Sequence, residues 1–221
     1  MHRPDGPTDG KTTRMLRKLE AEAEGSPFWV YAIRDPLTGD RRDWTTGEPF
    51  YVGQTNNPVR RAKWHMAAAA GGTEGEPVQE HRTRVQAILH QGRAPVFQLL
   101  EAAPTRLAAL AAEARWVRRL RAGGFAVETS WAEHRRGEDE GTFGDTGVPL
   151  GRVCGLTLAE AREDRLGLGI ACGACGMEVA LPLDGLIERG GPTAKLSALR
   201  EALRCPSCGR GDVLHLTPPA A

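Results

Sequence analysis

Four of the five cysteines fall in two CxxC pairs, Cys172/Cys175 and Cys205/Cys208, the plainest chemistry in these 221 residues. Two thiolates three positions apart can grip one metal from a tight turn. Two such turns complete a closed tetrahedral four-thiolate site for Zn²⁺, structural rather than catalytic. The glycine behind each pair, Gly176 and Gly209, lets the backbone turn its N–H groups toward sulfur. Cys154 is left single and is expected to be an inert structural thiol. A second constellation is looser. Both tyrosines of the chain, Tyr31 and Tyr51, sit in short apolar runs; Arg61 follows ten residues after Tyr51, and His65 one helical turn later. A chain this poor in tyrosine has little reason to put both phenols so close to a guanidinium and an imidazole. Finally, Glu113 interrupts the apolar arc of a helical segment, and a carboxylate on a core-facing side needs a partner, a metal or access to water.

These side chains need elements to position them. Phe28–Ile33 and Phe50–Gln54 read as strands that can pair as a hairpin, joined by turn-rich residues around Asp35–Asp40 and Thr45–Glu48. Asn57 followed by Pro58 is a helix start, and the helix Pro58–Ala70 stacks Val59, Ala62, Met66 and Ala69 on one side. Arg61 and His65, four apart, share the neighbouring face. Gly71-Gly72 should stop it. A second helix is expected over Pro77–His90, with Val78, Val85 and Leu89 inward, and a third strand over Pro95–Leu100. Thr105–Arg121 has the best helical pattern in the chain, with Leu107, Leu110, Ala114, Val117 and Leu120 on one arc and Gly123-Gly124 beyond it. Phe125–Val127 is expected to add a short closing strand. The expected organisation is a polar arm over 1–25, carrying a short charged helix within Thr12–Glu24. A domain over 26–130, a linker over 131–152 and a cysteine module over 153–217 follow. The module's 29-residue spacer has room for two short helices, Leu183–Glu188 and Thr193–Leu203.

Val30-Tyr31-Ala32 and Tyr51-Val52-Gly53, followed by Arg61, His65, the third strand and Glu113 in that order, resemble the GIY-YIG nuclease superfamily. The resemblance covers about Phe28 to Thr129. It implies an α+β fold, a small mostly antiparallel sheet flanked by helices, here followed by a zinc-ribbon-like module. It further implies a metal-dependent endonuclease that hydrolyses DNA phosphodiester bonds. On that reading Glu113 holds one divalent cation, Mg²⁺ or Mn²⁺, by the preference of such ions for carboxylate oxygen and retained water. Arg61 neutralises the developing phosphate charge. Tyr31 orients or deprotonates the attacking water, and Tyr51 and His65 assist by phosphate contact or proton relay. The chain departs from the pattern twice. Val30 or Trp29 replaces the glycine that opens the first signature, and Glu128 or Thr129 stands where the family carries a supporting asparagine. A glutamate there would add negative charge near phosphate or become a second metal ligand. The alternative function is therefore a catalytically impaired nucleic-acid-binding or regulatory protein that keeps the scaffold, with the zinc module as an interaction element for a protein partner.

Composition permits this reading without requiring it. The net charge is only +1, but Gln54–Phe125 holds eleven Arg plus Lys against five Glu, a patch suited to a polyanion. Only four of the 29 basic residues are lysine, so composition bias explains the arginines equally well. With 40% hydrophobic residues the chain can bury one good core and a smaller satellite. No apolar stretch suits a membrane span or a signal peptide, so a cytoplasmic protein is expected.

Overall fold

The computed structural model describes residues 10–39, 47–70, 80–129, 143, 146–211 and 214–217. The hairpin tip at 40–46, Gly71-Gly72, the start of the second helix at 77–79, most of the expected linker and the last four residues lie outside them. The described residues fall into two compact units: one within Met1–Pro104 and Arg115–Ser130, the other within Thr105–Ala114 and Trp131–Ala221.

In the first unit, α1 (Gly10–Glu22) precedes β1 (Phe28–Asp35) and β2 (Glu48–Thr55), and then come α2 (Pro58–Ala70), α3 (Glu80–His90) and β3 (Val96–Ala103). The helix α4 (Arg106–Ala122) and the two-residue β4 (Glu128–Thr129) follow. The strands form one sheet in the order β3-β1-β2-β4, antiparallel except for the last pair, where β4 runs parallel to β2. The fold is thus α+β with a mostly antiparallel sheet flanked by helices. The strand-like stretch expected at Phe125–Val127 lies just C-terminal to that, at Glu128–Thr129. Phe125 instead bonds back to Leu120 at the helix end through its N–H, 3.1 Å, after Gly124 has taken a φ of +87°.

β1 and β2 are buried on both faces, which is why their central residues read as continuous apolar runs rather than alternating ones. One face carries Tyr31, Ile33 and Tyr51 against Ala62 and Ala69 of α2, Val85 and Ile88 of α3, and Met15 and Leu19 of α1. The helix expected inside the polar arm is therefore anchored by two buried apolar side chains. The ladder between β1 and β3 shifts register between Val30 and Tyr31. Such a bulge bends a strand and re-aims the side chains beside it.

The second unit contains the first turns of α4 and α5 (Leu150–Val153), α6 (Leu158–Glu163), β5 (Leu168–Cys172) and β6 (Glu178–Leu181). It closes with α7 (Leu183–Gly190), α8 (Leu196–Ala202) and β7 (Leu214–Thr217). Its antiparallel sheet, β6-β5-β7, was not expected from the sequence. The two helices of the spacer were. The core gathers Leu110 and Ala114 of α4 with Val153, Leu156, Leu158, Ile170, Leu186 and Leu196. Cys154 packs half-buried against it, away from the paired cysteines' turns in sequence. A capping box on Thr157 and Glu160 starts α6.

Candidate functional site

The hairpin register builds the site. Tyr31 on β1 stands opposite Gly53 on β2. A Cβ at Gly53 would come within 2.9 Å of both the Tyr31 hydroxyl oxygen and Cε1 of Tyr51. Only glycine leaves room there for both rings to lie over the strand, which gives the Tyr51-Val52-Gly53 triplet a steric meaning. The two phenol rings are 6.0 Å apart. Tyr51 is fully buried.

From α2 come the next two groups. Asn57 accepts from the Arg60 N–H through its side-chain oxygen at 2.8 Å and caps the helix, and Arg61 and His65 then face the sheet one turn apart. Arg61 Nε donates to the Tyr31 hydroxyl oxygen at 3.1 Å, and the same hydroxyl meets His65 Nε2 at 2.8 Å. Tyr51 and His65 rings approach to 5.0 Å. Burial by itself would lower the Arg61 pKa, but the phenol oxygens of Tyr31 and Tyr51 raise it above the ordinary value. His65 is 1% exposed and held neutral: burial first, then Arg61, His81 and Arg82, push its pKa down to about 2. A neutral imidazole beside a phenol can share a hydrogen bond along their 2.8 Å line, but so weak a base does not hold the proton itself.

Three residues join this cluster that the sequence reading did not assign to it. His81 on α3 lies 4.5 Å from Tyr51 and 5.6 Å from His65, ring to ring. Burial, then Arg82 and Arg61, lower its pKa to about 4. Trp64, 42% exposed, carries Arg61 at 4.4 Å and Arg82 at 5.3 Å over its ring, which gives the site an aromatic and cationic rim. A signal for His81 did exist. It stands four before Val85 and seven before Ile88 on α3, a polar residue on the apolar face, as Glu113 is on α4.

Glu128 pairs with Tyr51 across the parallel β2–β4 ladder. Its carboxylate accepts from the His81 backbone N–H at 2.9 Å and lies 3.4 Å from His81 Nδ1. Glu128, one of the two residues open for the asparagine's position, thus touches the cluster through His81. Glu113, fully buried, lies on α4 between Leu110 and Ala114, both members of the second unit's core. Two residues on, Arg115 bonds Glu101 of β3 at 2.7 Å, and Trp116 does so at 2.9 Å. The structure brings together Tyr31, Tyr51, Arg61 and His65, all within the first unit.

In the second unit the two CxxC turns are near copies of each other. Gly176 N–H donates to Cys172 O and Gly209 N–H to Cys205 O, both at 2.8 Å, and the two glycines have φ of +71° and +73°. The Cys172 and Cys208 sulfurs are 3.6 Å apart, as are those of Cys175 and Cys205, and all four lie within 4.8 Å of one another. Four sulfurs ~2.3 Å from one ion at tetrahedral corners would be about 3.8 Å apart, so the set fits a metal ion. The Cys208 and Ser207 amides draw the Cys205 thiol down to about 6 against the effect of burial. Cys208 goes to about 11 despite the Arg210 amide, because burial and the three neighbouring sulfurs oppose a second charge. A cation removes that conflict. Among the described residues this is the one cluster of three or more metal-ligating side chains. No helix among them is long and apolar enough to cross a membrane.

Compared with family models, curated proteins and solved structures, the chain matches none.

Proposed function

We propose that the first unit is a GIY-YIG-type, metal-dependent endonuclease that hydrolyses DNA phosphodiester bonds. The observation that carries the reading is the Tyr31 hydroxyl, held between the Arg61 guanidinium at 3.1 Å and the His65 imidazole at 2.8 Å. A phenol of pKa ~10 is a poor base at neutral pH. The Arg61 cation can stabilise a phenolate, while the neutral His65 imidazole accepts the hydroxyl's hydrogen bond and fixes its direction, so Tyr31 can orient a water and take its proton. Tyr51 and Arg61 then face the phosphate, with Arg61 offsetting the charge that builds on phosphorus. Trp64 with Arg61 and Arg82 suits contact with nucleic acid, through stacking and phosphate attraction. The resemblance assigns the Mg²⁺ or Mn²⁺ to Glu113, a buried carboxylate and so a hard oxygen donor of the right kind, which groups with the second unit rather than with Tyr31, Tyr51, Arg61 and His65. When bound, that ion would supply Lewis-acid polarisation of a phosphoryl oxygen and stabilise charge on the leaving one. The four cysteines of the second unit hold structural Zn²⁺.

Glu128 favours the second reading, a nucleic-acid-binding or regulatory protein that no longer cuts, since it puts a carboxylate where phosphate approaches. One assay separates the two. Supercoiled, linear and branched DNA are incubated with the full chain and Mg²⁺ or Mn²⁺, beside Arg61→Ala and Glu113→Ala. Nicking that both substitutions abolish is the expected result. Salt-sensitive binding with no cutting by any form would establish the second reading instead.

A further inference from the structure

Trp64 is the most exposed of the large apolar side chains among the described residues, at 42%. On α2 it stands one turn beyond Arg61 and directly before His65, whose ring it meets edge to face at 5.1 Å. Arg61 therefore has two engagements. Its Nε donates to the Tyr31 hydroxyl at 3.1 Å, and its guanidinium carbon lies over the Trp64 ring, 4.4 Å from the centroid. One guanidinium thus separates the open indole from the phenol at the heart of the cluster. Arg82 of α3 lies over the same ring more loosely, at 5.3 Å. Arg60, four before Trp64, and Lys63, just before it, are exposed on α2 and add two more cations. An aromatic surface open to water amid positive charge suits a ligand that joins a flat ring to a phosphate, and a nucleotide carries both.

We propose that one unpaired base of the DNA stacks on Trp64 beside the phosphate that Arg61 faces, so that the site takes DNA with an unpaired nucleotide at the point of attack. This deepens the nucleic-acid reading above and rests on it. In an intact duplex every base is stacked between its neighbours. A side chain next to a phosphate then meets sugar and backbone rather than the face of a base. The indole gains a stacking partner only from a base that has left the helix, and that departure costs least where the nucleotide is mismatched, damaged or already single-stranded. A base and its phosphate are one sugar apart, so a phosphate at Arg61 and a base at Trp64 lie within the span of a single nucleotide. Arg82, the looser cation on the ring, yields to the base and turns to a neighbouring phosphate. Because every base has a π-face, the selection is for a structure of DNA and not for a sequence.

The test measures binding by the full chain without added Mg²⁺, so that nothing is cut, at one fixed salt concentration. Three DNAs are compared: a duplex with a single bulged fluorescent purine, the same duplex fully paired, and the same bulge lacking its base. The unsubstituted chain should bind the bulged purine at least about tenfold more tightly than the paired duplex, within the worth of one base–aromatic stack, and should quench its emission. Trp64→Ala should abolish that preference and the quench, and Trp64→Phe should keep most of both. Removing the base from the bulge should also remove the preference. Melting temperatures should hold in both variants, since the side chain is exposed. Equal affinity of the unsubstituted chain for bulged and paired DNA overturns the proposal, as does a preference that survives Trp64→Ala or loss of the base. So does a fall in Trp64→Ala that is the same on every DNA, which would make the indole a backbone contact or a support for Arg61. The nicking assay decides the hydrolase reading separately. A chain that shows the Trp64-dependent preference without cutting keeps this inference and loses the hydrolase, and a chain that cuts without the preference does the reverse.

Discussion

Tyr31 has a hydroxyl bonded to Arg61 and His65 and a ring that fills the core, and the two contributions can be separated. Tyr31→Phe keeps the ring against Phe97, 6.2 Å away, and removes only the oxygen. Cleavage should drop at least about a hundredfold while DNA binding and the melting temperature stay near those of the parent, read by nicking kinetics and calorimetry. A comparable loss of melting temperature would mean that the hydroxyl serves the fold. Gly53→Ala tests the opposite case. With Tyr31 and Tyr51 atoms 2.9 Å from the added carbon, at least one ring must move, at a cost of ~1–3 kcal/mol. Denaturant unfolding should show that loss, and the displaced phenol should cost activity as well. At this scale the tyrosines and the cysteines were legible because they are scarce and regularly placed. His81 was not assigned, since its spacing to Val85 and Ile88 marks it as inward-facing but names no chemistry. Its role comes from Tyr51 and Glu128, which only the fold brings to it.

Strands and helices were legible where burial imposes a period. α2 occupies the expected Pro58–Ala70, and β1, β2 and β3 extend their expected runs by a few residues at the ends. The second unit's sheet was hidden because its strands are four or five residues long, too short for alternation to stand out. β4 was displaced by a few residues of chain for a similar reason: so short a strand has no period. The pairing of α2 with α3 has a consequence in solution. His65 and His81 stay neutral in the folded first unit down to about 2 and about 4, whereas an unfolded chain protonates both below about 6.5. Their contribution to stability is therefore complete above about pH 6.5 and is progressively lost as the pH falls toward about 4. Melting temperatures, measured in steps from neutral pH down to about pH 4, should decline, and His81→Asn should decline less steeply. Parallel curves for the two proteins would contradict the assignment of a neutral buried His81.

At the scale of the molecule, the two hydrophobic cores share no residue among those described. Removing the metal with a strong chelator should therefore abolish the melting transition of the second unit, and the first should keep its own within a few degrees. Calorimetry with and without chelator reads this directly, and a single merged transition shifted by chelation would count against it. The sequence displayed this division through the cysteine spacing, but not the assignment of Thr105–Ala114 to the second unit, because one uninterrupted helical pattern runs through it. The hairpin of the first unit leaves a last consequence. Sliding β1 by a single residue along β2 would turn the Tyr31 phenol to the other side of the sheet and bring a different side chain opposite the bare position at Gly53. Any turnover by a preparation of this protein is then also an assay of correct strand alignment, and a misaligned fraction would reveal itself as silent molecules rather than as slow ones.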